Sequence, residues 1–308
     1  MAGLILKEKW GSISQIMYIL CGLVGMPVFT GGGGPQYVLQ PSFGFIMGLV
    51  LLAYISGRFV RKNFSIKNQE EKDEQIMKRI GIIGAMEEEV RELIADMQEC
   101  EMNEKASMKF YKGKLYGKDA VVVQSGIGKV NAAICTQILA DCYHVDELIN
   151  TGVAGSLDAE INIGDIVIST DAVHHDMDVS ALGDPVGQVP RMDVFAFPAD
   201  KELAEKAMQA NKKANPEIRT FMGRVASGDQ FISKKEVKDR IVENFQAKCT
   251  EMEGAAIAHG AYLNHIPYVI IRAISDKADG TAQVDYPTFE KQAITHSVNL
   301  MRELLPMI

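Results

Sequence analysis

Long apolar stretches occupy the first part of the chain. They cover residues 13–30 and 43–60, and each is close to the roughly 18–20 residues that cross a hydrocarbon core. The glycine-rich segment between them contains no Lys or Arg, whereas basic residues flank the outer ends of the pair. By the positive-inside rule, this pattern predicts a transmembrane helical hairpin in residues 1–62, with both ends in the cytoplasm. A hairpin buried in a soluble domain is the alternative, because core and membrane helices overlap in length.

The pattern changes after this hairpin. Residues 63–79 are densely charged, which predicts a solvated linker. From Ile80 onward, short β-branched runs alternate with longer amphipathic runs, which predicts one α/β domain over residues 80–308 with a mixed sheet covered on both faces. The predicted strands are Ile80–Ile83, Phe110–Leu115, Lys118–Gln124, Glu147–Asn150, Asp165–Ala172, Thr220–Ser227, Lys248–Thr250 and Tyr268–Ile274.

The composition and net charge of the chain indicate which binding partners and bound groups to expect. The 308 residues are 47% hydrophobic and 23% charged, which is ordinary for a globular chain. The net charge is −8, and residues 1–62 are basic, so the rest of the chain is strongly acidic and nucleic acid is not expected as a partner. The five cysteines form no CxxC pair and no Cys/His ligand spacing, so we expect neither a disulfide framework nor a metal site. The sequence contains no GxxxxGK(S/T) phosphate loop and no HExxH metal helix, and we expect no cofactor.

A short part of the hairpin carries a resemblance of its own. The phrases GMPVFTGGGG and PSFGF, within residues 16–60, resemble the substrate-binding membrane subunit of biotin importers. That family builds its pocket from a bundle of several helices, so two helices imply no transport. We interpret the segment as a fused remnant that anchors the domain after it.

The unusual residues of the α/β domain fall in five segments, each after an apolar strand. Ligands of such sheets bind where loops leave the strand ends. The five segments are Gly84–Glu89, Ser125–Lys129, Asn150–Gly155, Glu251–Ala255 and Arg272–Asp276. In this order and spacing they resemble the 5′-methylthioadenosine/S-adenosylhomocysteine nucleosidases, over about Ile80 to Leu305. The resemblance implies a three-layer nucleoside-phosphorylase-like fold and hydrolysis of the N-ribosidic bond of both nucleosides, a reaction of methionine salvage and the methyl cycle.

Three carboxylates are implied as catalytic by this resemblance. On the residues alone, Glu87–Glu89 stabilise the start of a helix, and Asp276 is as much a turn or cap residue as a catalyst. The resemblance implies that Glu89 orients and deprotonates water, that Glu253 holds the ribose hydroxyls, and that Asp276 is the general acid at purine N7. We expect Glu251 and Glu253 to point in opposite directions, with Glu251 structural and paired with Arg272.

The resemblance also implies a set of substrate-binding residues. Phe231 would stack on adenine, the backbone of Ile232 would read the edge of the base, and Ser275 would hold Asp276. Met252 would pack against the sugar, and the glycines would let the chain approach the ligand closely. The remaining members of the implied set are Met86, Ser125, Gly155 and Arg272.

Residues 174–190 resemble the segment that reaches the 5′ pocket of a partner subunit, which implies a homodimer. Val179, Leu182 and Pro190 would line that pocket, although Leu182 stands where the family often has an aromatic residue. His174 and His175 lack a third ligand, so we expect them at the solvent or at an interface rather than on a metal.

Two other functions stay open. A nucleoside phosphorylase is disfavoured because the turn after the first strand offers Glu87–Glu89, where phosphorylases of this superfamily carry arginines. A membrane-tethered sensor that binds adenine nucleosides without turnover is disfavoured because a binder has no need of Glu89. The leading prediction is an adenine nucleoside hydrolase held at the cytoplasmic face of the membrane.

Overall fold

The computed structural model describes residues 13–14, 16–26, 28, 34–39, 78–279 and 282–308. The chain divides into two compact units, Met1–Met77 and Lys78–Ile308. In the first unit, residues 16–23 are helical and Pro35–Leu39 form a short 3₁₀ turn. No helix in the described part of the chain is both long enough and apolar enough to span a bilayer. The second predicted span, residues 43–60, lies outside the described residues, as do residues 63–77 of the predicted linker.

The second unit is built on a ten-stranded mixed sheet. Its strands are β1 (Arg79–Gly84), β2 (Gln98–Lys105), β3 (Met108–Leu115), β4 (Lys118–Gln124), β5 (Glu147–Ser156), β6 (Ile166–His174), β7 (Phe197–Pro198), β8 (Thr220–Ser227), β9 (Cys249–Glu251) and β10 (Tyr268–Asp276). The order is β10-β6-β8-β9-β5-β1-β4-β3-β2, with β7 beside β6. Because β10 also pairs with β5, the five strands from β10 to β5 close into a ring.

Strand direction brings the chemistry-bearing segments to one edge. β1 runs parallel to β4 and β5, and β5 runs parallel to β10. The carboxyl ends of these four strands therefore meet, and the segments that follow or end them lie side by side.

Helices cover both faces of this sheet. They are α1 (Glu87–Ala95), α2 (Lys129–Tyr143), α3 (Lys201–Ala214), α4 (Lys235–Phe245), α5 (Gly254–Leu263) and α6 (Ala282–Leu304). Strand side chains alternate between two cores: in β1, Ile80 and Ile82 pack with α1, α3 and α6, whereas Ile83 packs with α2 and α5. This arrangement confirms the predicted mixed sheet with helices on both faces.

Some strands differ from the prediction. β5 and β10 continue to Ser156 and Asp276, past the predicted strand ends at Asn150 and Ile274. Both strands are buried along their whole length because each pairs on both sides within the ring, so polar and glycine residues there do not end the strand. β2 and the short β7 have no counterpart among the predicted strands. All eight residues of β2 are exposed at the sheet edge, so no apolar alternation marks it.

Candidate active site

A cavity of about 490 Å³ opens where β5, β9 and β10 end. Such a volume lies within the range of small-molecule sites. The residues that line it are Ala85, Met86, Glu89, Ile127, Val153, Ala154, Gly155, Phe231, Thr250, Glu251, Met252, Glu253, Ser275, Asp276 and Tyr286. Eight of the residues that the resemblance implies are among them: Met86, Glu89, Gly155, Phe231, Met252, Glu253, Ser275 and Asp276.

Glu89 is buried in the first turn of α1, where backbone N–H groups bind its carboxylate. Ala85 N–H and Met86 N–H donate to Oε2 at 2.7 and 3.0 Å, and Val153 N–H donates to Oε1 at 3.1 Å. Burial raises the pKa of Glu89, although the charge of Arg272 and the three N–H donors oppose this. Oε1 accepts a single backbone bond, so it retains the capacity to bind a water molecule or take its proton.

Arg272 lies behind the cavity wall and is 1% exposed. Its Nη2 donates to Asn150 Oδ1 at 2.5 Å and to the carboxylate of Glu251, and it lies 3.9 Å from Glu253 Oε2. Burial works against the charged form, but the nearby carboxylates of Glu251, Glu253 and Glu89 outweigh it and raise the pKa of Arg272. The guanidinium therefore stays charged at neutral pH.

Close approach of the chain to Arg272 requires a glycine in β5. A Cβ at position 152 would lie 2.1 Å from Arg272 Nη1 and 2.5 Å from Glu89 Oε1. Any side chain at Gly152 would displace one of these groups. The glycine therefore lets Arg272 and Glu89 lie against the strand backbone on the same side.

Glu253 follows β9 and is buried beside Glu251. Gly128 N–H donates to its Oε1 at 2.8 Å. Burial foremost, and then the charge of Glu251, raises the pKa of Glu253 to about 7. The expectation that Glu251 and Glu253 point in opposite directions is wrong, because both line the cavity and Glu253 lies beyond the end of β9, where strand alternation no longer applies. The expected pairing of Glu251 with Arg272 is confirmed.

Asp276 ends β10 and has partners of its own. Ser275 Oγ donates to Oδ2 at 3.0 Å, and Ala278 N–H donates to Oδ1 at 2.7 Å. Burial raises the pKa of Asp276, although these two donors oppose it. A Cβ at Gly155 would lie 2.8 Å from Asp276 Oδ1, so this glycine makes room for the carboxylate.

Aromatic rings form another part of the cavity wall. Phe231 is 46% exposed and meets the Tyr286 ring edge to face, with 6.0 Å between centroids. The Tyr286 hydroxyl donates to Glu290 Oε1 at 2.7 Å and also lies 3.3 Å from Met86 Sδ. Sequence reasoning missed Tyr286, because a tyrosine in the first turns of the last helix has no distinguishing neighbour in the chain. It also missed Thr250, which precedes the Glu251–Glu253 pair.

Six implied binding residues lie outside the lining of this cavity in a single chain. Ser125 is buried with its hydroxyl bonded to Gly126 O, and Ile232 packs in the core with α4. Arg272 donates its hydrogen bonds to Glu251 and Asn150 behind the cavity wall. The other three lie in the segment after β6, where Val179 is half-buried and Leu182 and Pro190 are exposed.

The paired histidines are not at the solvent. His174 and His175 are both buried, and burial lowers the pKa of each, to about 4 for His174. Of the two positions expected for them, the solvent is therefore wrong, and a position at an interface stays a prediction. Among the described residues, no group of His, Cys, Asp and Glu is arranged to hold a metal ion.

Comparison with known proteins identifies the family of the chain. Residues 79–306 match the model of the phosphorylase superfamily. The chain is 43% identical to the 5′-methylthioadenosine/S-adenosylhomocysteine nucleosidase of Staphylococcus aureus over 220 residues, which cover 71% of this chain and 95% of that protein. The chain belongs to this nucleosidase family of the phosphorylase superfamily. A second relative, the same nucleosidase from Staphylococcus haemolyticus, is 40% identical over 233 residues, which cover 74% of this chain and 100% of that protein.

Solved structures agree on the fold. A nucleosidase from Neisseria meningitidis, in complex with methylthio-immucillin-A, matches with a TM-score of 0.73 and 37% identity, covering 75% of this chain and 100% of that one. A futalosine hydrolase of Helicobacter pylori matches with a TM-score of 0.72 and 30% identity, covering 76% of this chain and 100% of that one. Separately, residues 1–86 match the BioY family, which supports the biotin-importer resemblance of the first unit.

Replacing Arg272 by Met tests the charge balance behind the cavity. The change leaves Glu251 buried without its cation, and breaking a buried pair in this way costs about 3–5 kcal/mol. We expect the free energy of unfolding, measured in urea, to fall by that amount. The matched control is Arg302→Met, whose side chain is 43% exposed beside Asp96 and whose loss costs about 0–1 kcal/mol. Equal effects of the two substitutions would contradict the assigned role of Arg272.

Proposed function

We propose that the chain hydrolyses the N-ribosidic bond of 5′-methylthioadenosine and S-adenosylhomocysteine, releasing adenine and the 5′-thio-ribose. The observation that carries the proposal is the set of three buried carboxylates, Glu89, Glu253 and Asp276, on one cavity. Cleavage of this bond places positive charge on the sugar and negative charge on the departing base. Buried acidic groups oppose both charges, since an acid neutralises the base and carboxylates stabilise the sugar.

Asp276 is assigned to the base. Its proton goes to N7 of the purine as the bond to C1′ breaks, so the adenine leaves neutral. This role requires the protonated form near neutral pH, and burial favours that form by raising the pKa of the carboxyl group. Ser275 Oγ and Ala278 N–H hold the carboxyl group in place.

Glu89 and Glu253 are assigned to the sugar. Glu89 would bind the attacking water through Oε1 and take its proton, while the three backbone donors hold its carboxylate still. Glu253 would accept hydrogen bonds from the ribose hydroxyls, with Met252 against the sugar ring. Arg272 favours the charged form of both glutamates, because it lowers the pKa of each against the effect of burial.

Charge on the cavity wall favours water over phosphate. No described residue that lines the cavity is Lys or Arg. Arg272 lies behind the wall, and its Nη2 already donates hydrogen bonds to Glu251 and Asn150. Two like unit charges 4 Å apart repel by about 4 kcal/mol at an effective dielectric constant of 20, so a phosphate ion beside Glu89 is disfavoured. Among the described residues that line the cavity, the phosphorylase alternative therefore finds no cation for its second substrate.

The substrate class rests on the relatives and on the aromatic wall. Relatives 40–43% identical are named as methylthioadenosine/adenosylhomocysteine nucleosidases, and so is the solved structure from Neisseria meningitidis at 37% identity. Phe231 offers a partly exposed ring on which adenine would stack, and the backbone of Ile232 would read the edge of the base. We propose adenine thionucleosides as the substrates for these reasons.

Replacing Asp276 by Asn tests the assignment of the general acid. An amide cannot deliver the proton, and general acid catalysis contributes about 10²–10⁴-fold. We expect adenine release from 5′-methylthioadenosine to fall by that factor, measured by absorbance. Glu87→Gln is the control, since its side chain lies in the same turn as Glu89 but is 65% exposed, and it should retain full activity. Undiminished release by Asp276→Asn would refute the assignment, and binding without release by the wild type would favour the sensor.

We also propose that the chain forms a homodimer, with Val179, Leu182 and Pro190 of one subunit completing the 5′ pocket of the other. Support comes from the apolar surface beside the cavity: Ile127, Val130 and Ile134 are 54%, 69% and 42% exposed. Large apolar groups exposed together on a folded domain mark an interaction surface.

Sedimentation velocity on residues 78–308 tests the homodimer. We expect twice the mass of one chain, and a single-chain mass for the double variant Val130→Lys, Ile134→Lys, because two charges would enter an apolar contact. A wild type that sediments as a monomer would contradict the proposal.

The first unit is proposed as a membrane anchor that holds the catalytic domain at the cytoplasmic face. Two apolar stretches of spanning length, the basic residues outside them and the match to the BioY family support this. Exposed Ile16, Met17 and Leu20 in the helical residues 16–23 present the apolar surface that a bilayer would cover.

Alkaline carbonate extraction of membranes tests the anchor. We expect the full chain to stay in the pellet, because carbonate removes peripheral proteins and leaves spanning helices in place. Residues 78–308 alone should stay in the supernatant. Full-length protein that carbonate releases would show that the hairpin does not insert.

A further inference from the structure

Three segments around the cavity are tied together by one small polar cluster. Asp176, Lys129 and Asp229 make up this cluster, which we call the clasp. Each residue comes from a different segment: Asp176 follows β6, Lys129 begins α2 and Asp229 follows β8. None of the three lines the cavity.

The clasp is a closed set of contacts. Lys129 Nζ lies 2.5 Å from Asp176 Oδ1, and the backbone N–H of Asp229 donates to Asp176 Oδ2 at 3.0 Å. The backbone N–H of Lys129 donates to Asp229 Oδ1 at 2.8 Å. Burial disfavours the charged form of Asp176, but the ammonium group of Lys129 and the N–H of Asp229 outweigh burial and lower the pKa of this carboxyl group. Asp176 is therefore ionised at neutral pH.

Asp229 supplies the cap that α2 lacks. Gly128 precedes this helix with a φ of +95° and has no side chain to accept its first N–H groups. Two carboxylates from elsewhere accept them instead: Glu253 accepts from Gly128 N–H, and Asp229 accepts from Lys129 N–H. A Cβ at Gly128 would lie 3.1 Å from Asp229 Oδ1, which shows how closely the two segments approach.

The backbone N–H groups of Gly128 and Lys129 are consecutive in one turn, so they connect the clasp to Glu253, the carboxylate assigned to the ribose hydroxyls. If Asp229 holds Lys129 N–H, the preceding N–H of Gly128 stays directed at Glu253. Asp229 also precedes Phe231 by two residues, so the same carboxylate sets the position of the segment that carries the aromatic ring.

We propose that Asp229 is a positioning residue of the active site: through the clasp it holds Gly128 N–H on Glu253 and Phe231 at the cavity. The inference rests on the proposed hydrolase function for its kinetic consequences. Its structural consequence, the order of the turn at residues 126–129, is independent of that function.

The charged and polar groups that face Glu253 define the expected pH effect. They are Glu251 on its own segment, Arg272 on β10, Glu89 on α1 and the N–H of Gly128 before α2. Arg272 and Gly128 N–H favour the ionised carboxylate, and the other two carboxylates disfavour it. Loss of the bond from Gly128 N–H removes one of the two contacts that favour the carboxylate. The pKa of Glu253 therefore rises, and a smaller fraction of Glu253 is ionised at pH 7.

The experiment compares the full-length wild type with Asp229→Ala and Asp229→Asn. The substitution Asp229→Asn is the conservative rescue, because its amide oxygen still accepts from Lys129 N–H. The matched control is Asp200→Ala, which removes a carboxylate that caps α3 through Leu203 N–H at 2.8 Å, far along the chain from the site. Loss of stability alone would affect the Asp200→Ala and Asp229→Ala variants alike.

Two readouts are measured for each protein. The first is kcat/KM for 5′-methylthioadenosine against pH, whose acidic midpoint reports the carboxylates that must be ionised in the free enzyme, Glu253 together with Glu89. For Asp229→Ala we expect this midpoint to rise by about one pH unit, since a bond to a charged group is typically worth about one pKa unit or more. The second readout is backbone hydrogen exchange of residues 126–133, which should be faster in Asp229→Ala. Asp229→Asn and Asp200→Ala should match the wild type in both readouts.

The outcomes separate the two proposals. A wild type that releases no adenine refutes the hydrolase function, and hydrogen exchange then decides the clasp alone. Exchange at residues 126–133 that Asp229→Ala leaves unchanged overturns the clasp in either case. An unchanged midpoint in an active Asp229→Ala variant overturns the positioning role, as does an Asp229→Asn variant that behaves like Asp229→Ala.

Discussion

The buried guanidinium of Arg272 is the group on which the site depends. Its Nη2 contacts Glu251 and Asn150 directly and lies 3.9 Å from Glu253. A single charge at 1% exposure would be costly without compensation, and so would the three carboxylates that act on it, those of Glu251, Glu253 and Glu89. Together they neutralise one another in part, and Glu89 and Glu253 remain available to the ligand while Glu251 is occupied. The cavity wall is therefore acidic, and the charge of Arg272 offsets the cost of burying its carboxylates.

Topology explains why residues distant in the chain meet here. Glu89, Glu253 and Asp276 follow or end β1, β9 and β10, whose ends converge because β5 pairs with all three strands. Gly152 and Gly155 lie in β5 between them and leave room for Arg272, Glu89 and Asp276. β5 therefore lies behind all three carboxylates, and its glycines determine how closely these groups approach one another.

Much of this arrangement is readable from the sequence, for identifiable reasons. The short β-branched runs in β1 and β10 predict buried strands, and the motifs around Glu89, Glu253 and Asp276 carry the family resemblance. What the sequence does not reveal depends on tertiary contact. The continuation of β5 and β10 through polar segments follows from ring closure, and Tyr286 reaches the cavity because α6 packs beside β10. The exposure of every residue of β2 removes the alternation by which a strand is recognised.

Hydrolysis rather than phosphorolysis is the central claim, and the identity of the sugar product tests it most directly. The full-length protein would be incubated with 5′-methylthioadenosine in phosphate buffer, and the products would be followed by ³¹P NMR and mass spectrometry. The described cavity wall, without Lys or Arg, predicts adenine and free 5-methylthioribose, with no new phosphate ester. Accumulation of 5-methylthioribose 1-phosphate would contradict the account, because it would require a phosphate ion to bind beside Glu89.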